Sequence, residues 1–446
     1  MPAETEARAM YKQFRIYAFI LLSGVFIGAQ DRPPLQVQNL NDAMGNRSVS
    51  FIELLRQAEA GDKRAQYSVG NAYATGNGVL KNDADALKWW RQAAQNGLPE
   101  AQNHLAYLYE RGVGVPQDYK EAVRLFSNAA EQDLPAAQYN LGHMYQTGEG
   151  VPVDYARAIA LFRQAAAQGL APAQNELGVA YQRGTGVPKN ALAAFNLFRL
   201  AAEQGEPSAQ HNLGLMYLAG KGTARNYAAA MKWLSQAADG GVTEAYRSLG
   251  HMYEYGNGVD SDAAKAVGLY RKAAERGLVT AQIELGYLYK TGKGVQQDLA
   301  EAAKWFRRAA EQGHPIAENT IGYMYCRGEG VGRDYRQAVE WLQKAAEQNY
   351  APAQMNLEFL YQSGLGVPLN YAEAYKWFTL AANGAADDSA RSRSALKALA
   401  QIMTTRQLRD GQGRTSDWLS RHNNVELAVQ KTDAAGVDSY ATGAKP

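Results

Sequence analysis

Apolar residues recur along this chain at helical spacing, and they come in pairs of stretches. Ala101, Leu105, Ala106 and Tyr109 fall on one helix face, and Ala122, Leu125, Phe126, Ala129 and Ala130 do the same a short polar segment later. The pattern predicts two antiparallel helices joined by a tight loop. Stepping by 36 from Tyr73 lands on Tyr109, Tyr145, Tyr181, Tyr217, Tyr253, Tyr289, Tyr325 and Tyr361. The same step links Ala65 to Ala353 and Ala86 to Ala374, and it carries the glycine pair Gly76 and Gly78 through every copy to Gly364 and Gly366. A fixed period of this length is the signature of a solenoid. Small alanines let the two backbones approach, while Tyr109 and Phe126 fill the gaps between layers, each contributing about 2–3 kcal/mol of burial. Pro99, Pro135, Pro207 and Pro315 share one phase and suit a first helical turn. Asp118 with Glu121, and Asp298 with Glu301, read as caps of the second helix.

The recurring pattern A-x-x-x-L-G-x-x-Y-x-x-G-x-G-V-x-x-D-Y-x-x-A-x-x-W/L-F-x-x-A-A-x-x-G resembles the Sel-one-like repeat family, a relative of the tetratricopeptide repeats, over residues 62–385. The expected architecture is an all-α, right-handed superhelical solenoid of nine 36-residue helix-turn-helix repeats. Residues 51–61 (FIELLRQAEAG) read as an unpaired helix capping the front, and residues 386–422 as capping helices at the back. Residues 423–446 are polar and small, which predicts a disordered tail.

The front of the chain carries a different signal. Residues 16–29 (IYAFILLSGVFIGA) are 14 uncharged positions behind Arg8, Lys12 and Arg15. That run is short against the roughly 20 residues of a membrane span. It suits a signal-peptide core ending at the small Ala29, with an uncleaved inner-membrane anchor as the alternative. Residues 1–30 are therefore assigned to export, and residues 31–50 to a linker. A start at Met10 gives a cleaner basic leader than Met1, because Glu4 and Glu6 drop out. Lys and Arg total 46 against 44 Asp and Glu, a formal net charge of +2 without long single-sign runs, which argues against a nucleic-acid partner. Cys326 is the chain's one cysteine, so an intramolecular disulfide and a multi-cysteine zinc site are both excluded.

Three motifs invite chemistry. Gly148-Glu149-Gly150 looks like a phosphate cradle, but the pair recurs in all nine copies after the in-phase tyrosine, and Gly-Lys-Ser/Thr does not follow. It reads as a helix-ending glycine of positive φ. Ser394-Ala395-Leu396-Lys397 and Lys290-Thr291-Gly292 match the serine and K-T-G motifs of penicillin-recognising enzymes, but in reversed order and with Lys290 at a helix end. His143 and His251 share a phase three repeats apart, tens of ångströms at roughly 10 Å per stacked layer, so the histidines do not converge on a metal. Cys326 falls in a phase held elsewhere by, among others, Glu110, Gln146, Gln182 and Lys290, which predicts a solvent-facing thiol. No cofactor and no catalytic set is expected.

One constellation remains. On the first helix of each repeat, the phase of Tyr107 points away from the packing seam. Along the array it holds Tyr107, His143, His251, Tyr287, Tyr323 and Phe359 among others, while a neighbouring phase supplies His104, Asn140, Asn212 and Asn356 as a ladder of hydrogen-bonding groups. These ten residues are the expected partner-binding strip of the concave face. The resemblance implies a non-enzymatic scaffold or adaptor for a protein or peptide, placed by its leader in the periplasm or outside the cell. The alternatives are a glycan-binding or polysaccharide-assembly component and, more remotely, a cell-wall enzyme.

Overall fold

Each repeat ends its first helix and begins its second with residues whose backbone and side-chain chemistry fit those places. In the computed structural model, which describes residues 51–384 and 389–433, the in-phase glycine closes the first helix in the left-handed region, as at Gly148 (φ 74°), whose N–H donates to the Met144 carbonyl. Left-handed backbone carries little penalty for glycine. The second glycine of the pair is left-handed as well (Gly150, φ 76°), and in several repeats it has an added steric reason. A Cβ on Gly150 would lie 2.5 Å from the Tyr119 carbonyl oxygen of the preceding repeat, and one on Gly330 would collide with the Leu299 backbone. The loop is thus a contact between repeats. An Asp or Asn then starts the second helix: Asp118 Oδ1 accepts from the Lys120 and Glu121 amides, and the Asp118 N–H donates back to the Tyr109 carbonyl at 2.9 Å. The Glu121 side chain does not complete a capping box; it turns forward to Arg124, and Glu301 turns likewise to Lys304.

The first helices of the nine repeats are α2 (Lys63–Thr75), α4 (Pro99–Arg111), α6 (Pro135–Thr147), α8 (Ala171–Arg183), α10 (Pro207–Ala219), α12 (Thr243–Tyr255), α14 (Val279–Thr291), α16 (Pro315–Arg327) and α18 (Ala351–Ser363). Their partners are α3 (Asp83–Gln95), α5 (Tyr119–Ala130), α7 (Tyr155–Ala167), α9 (Ala191–Glu203), α11 (Tyr227–Asp239), α13 (Ala263–Glu275), α15 (Leu299–Glu311), α17 (Tyr335–Glu347) and α19 (Tyr371–Gly384). α1 (Phe51–Glu59) precedes them; α20 (Ser389–Ile402) and α21 (Thr405–Asp433) follow. The described residues contain no strand, and the chain is an all-α solenoid. By its contacts it divides into two units, one ending at Ala209 and one beginning at Gln210.

Within a pair, a mid-helix glycine receives the partner's ring. A Cβ on Gly142 would stand 2.7 Å from Phe162, and one on Gly178 the same distance from Phe198. Glycine costs about 1 kcal/mol against alanine inside a helix, which the fully buried ring offsets. Between pairs runs a ladder of amides. Gln66, Gln102, Gln174, Gln282 and Gln354 each donate from Nε2 to the carbonyl eight residues earlier, at 3.1–3.3 Å. The Oε1 of Gln102 and of Gln282 accepts in turn from the glutamine 30 residues later, Gln132 and Gln312. These buried donors and acceptors satisfy carbonyls at helix ends.

At the front of unit 1, α1 packs on α2, with Phe51 edge-on to Tyr73 at 5.5 Å. At the back of unit 2, Trp418 of α21 is buried and donates to Glu347 at 2.8 Å, while Arg414 pairs with Glu373. α21 runs to Asp433, beyond position 423 where composition predicts a disordered tail; Glu426, Leu427, Ala428, Gln430 and Lys431 are all good helix formers. Residues 1–50 and 434–446 lie outside the described residues, and with them the export segment, the linker and the rest of the predicted tail.

Candidate partner-binding face

The side chains predicted to form a ladder for a partner are largely spent on the solenoid itself. A residue in one repeat bonds its counterpart 37 positions later, one phase along in the next repeat. Tyr67 Oη meets Nδ1 of His104 at 3.1 Å, Asn140 Nδ2 donates to Asn103 Oδ1 at 3.0 Å, Arg247 clasps Glu284 at 2.6 Å, and Asn356 Nδ2 donates to Asn319 Oδ1 at 2.9 Å. These bonds tie successive first helices together side by side.

In unit 1 this overturns two assignments. His104 is buried (3% exposed) against the Trp90 ring, centroids 4.1 Å apart, and burial pushes its imidazole down to about 4. His143 is buried (2% exposed) between Tyr139 and Phe162. Neither ring faces an open surface, because a large aromatic stands across from it. Asn140 is half-buried, and Tyr107 is half-buried beneath the Arg111 guanidinium.

Unit 2 differs. Asn212 and Asn356 are half-buried, as is His251, whose Nε2 lies 2.9 Å from Glu284 and whose ring stacks on Tyr255. Tyr287, Tyr323 and Phe359 are exposed, Phe359 by 56%. Tyr287 rests edge-on against Phe306 with its hydroxyl 3.5 Å from Thr320. The Tyr323 ring has the Lys290 ammonium and the Arg327 guanidinium each 5.8 Å from its centroid, and both cations pair with Glu329 of the following loop. Tyr255, absent from the predicted strip, is the most exposed ring of this face at 63%. Periodicity gives no sign of it, because it stands alone as an aromatic in a phase holding Arg111, Thr147, Arg183, Thr291, Arg327 and Ser363.

Cys326 is half-buried rather than solvent-facing. It is one of the partly buried residues, with Tyr361 and Leu365 among the others, that pack against the core cluster containing Leu357 and Leu360, and burial pushes its thiol up to about 11. At the two preceding joints the equivalent partners are ion pairs of opposite polarity, Glu254 with Lys293 and Lys290 with Glu329, so the thiol occupies a position that locks repeats together. Lys290-Thr291-Gly292 ends a helix, with Thr291 Oγ1 donating to the Tyr287 carbonyl; the Ser394 side chain lies outside the described ones. Among the described residues no three His, Cys, Asp or Glu side chains gather where they would hold a metal ion.

The repeat itself decides the relationship. Matches to the Sel1 repeat run without a break over residues 63–98, 99–134, 135–170, 171–206, 207–242, 243–278, 279–314, 315–350 and 351–385. The chain belongs to the Sel1 repeat family. A Sel1 repeat protein of Oxalobacter formigenes is 32% identical, covering 77% of this chain and 99% of its own, with a TM-score of 0.54. A protective antigen of uropathogenic Escherichia coli, c5321, is 31% identical, covering 88% of this chain and 91% of its own, with a TM-score of 0.50. Comparison with curated proteins gives no match. Sel1 repeat solenoids are typically non-catalytic scaffolds, and a protein-interaction role fits this one.

Proposed function

We infer that this Sel1 repeat protein is a bacterial envelope scaffold whose second unit binds an extended protein segment along the rings of Tyr255, Tyr287, Tyr323 and Phe359. One observation carries the reading: on a face whose polar groups are tied to neighbouring repeats, these rings stay exposed, three of them at one-repeat spacing. Large rigid side chains lose little rotamer entropy on binding and carry much interface energy. The paired test is Tyr323→Ala against Tyr325→Ala. The first should weaken partner capture by about 1–3 kcal/mol with an unchanged melt. The second, in the packing phase and set against the core of repeat 8, should melt early and lose capture only as a consequence. An early melt of Tyr323→Ala with undiminished capture by the folded protein rejects the face.

Export is the second part of the proposal, supported by the basic leader and short apolar run of residues 16–29. Alkaline phosphatase fused after Ala385 should be active in cells; an inactive fusion beside an active cytoplasmic reporter removes the envelope from the proposal.

A further inference from the structure

We propose that Glu318 is a proton-held rung of the joint at repeat 8, so that α16, the helix carrying Tyr323, is braced more firmly at acid than at alkaline pH. The phase of residue 318 is glutamine at positions 66, 102, 138, 174, 210, 282 and 354, and tyrosine at 246. Where the rung is complete, Nε2 donates to the carbonyl eight residues earlier and Oε1 accepts from the glutamine 30 residues later. Glu318 makes the accepting half: its Oε2 receives Gln348 Nε2 at 2.7 Å. The carbonyl due the other half belongs to Ala310. It accepts the Gly313 N–H at 2.9 Å, as Ala94 accepts Gly97 and Ala274 accepts Gly277 at 3.0 Å, and like them it has a second lone pair for the rung. A carboxylate offers that lone pair only another acceptor. The neutral acid offers an O–H, which replaces the amide N–H of every other rung.

The surroundings favour the acid. Glu318 is 3% exposed, and burial pushes its carboxyl up to about 7. Lys344 of α17 opposes this, but its side chain is exposed and its ammonium lies 4.0 Å from the Trp341 ring. On α15 the cations are engaged elsewhere, Lys304 with Glu301, Arg307 with Tyr325 and Arg308 over Trp305, and Glu311 is exposed. Glu358 of α18, in a phase that is glycine at 70, 142, 178, 214, 250, 286 and 322 and alanine at 106, is raised separately: its own burial pushes it up to about 7. The sign follows from linkage. The folded chain holds the proton above the ordinary carboxylate value of 4.5, so this contribution to stability is complete below 4.5 and is lost as pH rises to about 7.

The consequence for Tyr323 rests on the proposed binding face; the rung does not. The test therefore uses no partner. Hydrogen exchange of the full chain, corrected for intrinsic rates, should show protection of residues 315–327 falling about tenfold or more from pH 5 to pH 8 in the wild type, and holding steady in Glu318→Gln, which restores the N–H donor. Glu318→Gln should also raise the melting temperature at pH 8 and lose that advantage at pH 5. An equal effect of the substitution at both pH values overturns the proposal. Should Glu318→Gln fail to fold, the wild type decides alone, because flat protection across the range rejects the rung. Failure of the binding face would show instead in Tyr323→Ala capture and leave these readouts untouched.

Discussion

His104 shows what a single buried side chain does to the pH response. Its imidazole is neutral in the fold, wedged between Tyr67 and Trp90, and burial holds it at about 4 against 6.5 for the ordinary group. The unfolded chain therefore takes up the proton first as pH falls. Stability is fully present above 6.5 and is lost as pH drops toward 4, by about 3 kcal/mol at most for two and a half pH units at 1.36 kcal/mol each. His104→Phe should flatten the slope of unfolding free energy against pH between 6.5 and 4, whatever it does to stability at neutral pH where Tyr67 loses its partner. An unchanged slope would mean that the imidazole is solvated in the fold. This window overlaps that of Glu318 with opposite sign, so the two contributions offset each other in the wild-type profile and the single variants His104→Phe and Glu318→Gln are what separate them.

At the scale of the helix, most of the fold was legible because every boundary is written in residue chemistry. Glycine at positive φ ends the first helix, an Asp or Asn side chain starts the second, and both recur at 36. The face proposed for binding was only partly legible. Phase analysis ranks positions by direction from the helix axis, and it placed His104, Tyr287 and Asn356 alike on an outward side. What separates them lies across the joint. The 37-residue hydrogen bonds connect two different phases of adjacent repeats, so neither column of residues shows the pairing by itself. His143 is hidden by Tyr139, and Tyr139 belongs to a phase occupied elsewhere by residues as unlike as Asn103, Asn319 and Arg247. Tyr255 escaped for the converse reason: one aromatic in a polar phase carries no periodic signal.

At the scale of the molecule, a stack in which each repeat touches its neighbours has a stability close to a sum of repeat and interface contributions. Damage should therefore stay near its origin. Phe306 is the sharpest probe in unit 2, since it is fully buried and its ring lies in the groove left by Gly286, where a Cβ would stand 2.9 Å away. Phe306→Ala removes the ring from a site that glycine cannot refill, because Gly286 has no side chain to move inward. The cost should be about 3–5 kcal/mol, at the upper end for a core aromatic because the cavity has little means to collapse. Hydrogen exchange should rise most in residues 279–314, next in residues 243–278 and 315–350, and least in residues 405–422, where α21 is held separately by Trp418 and Arg414. Equal acceleration across residues 243–422 would show instead that unit 2 unfolds as one cooperative block, and stabilities of single repeats would then have no separate meaning in it.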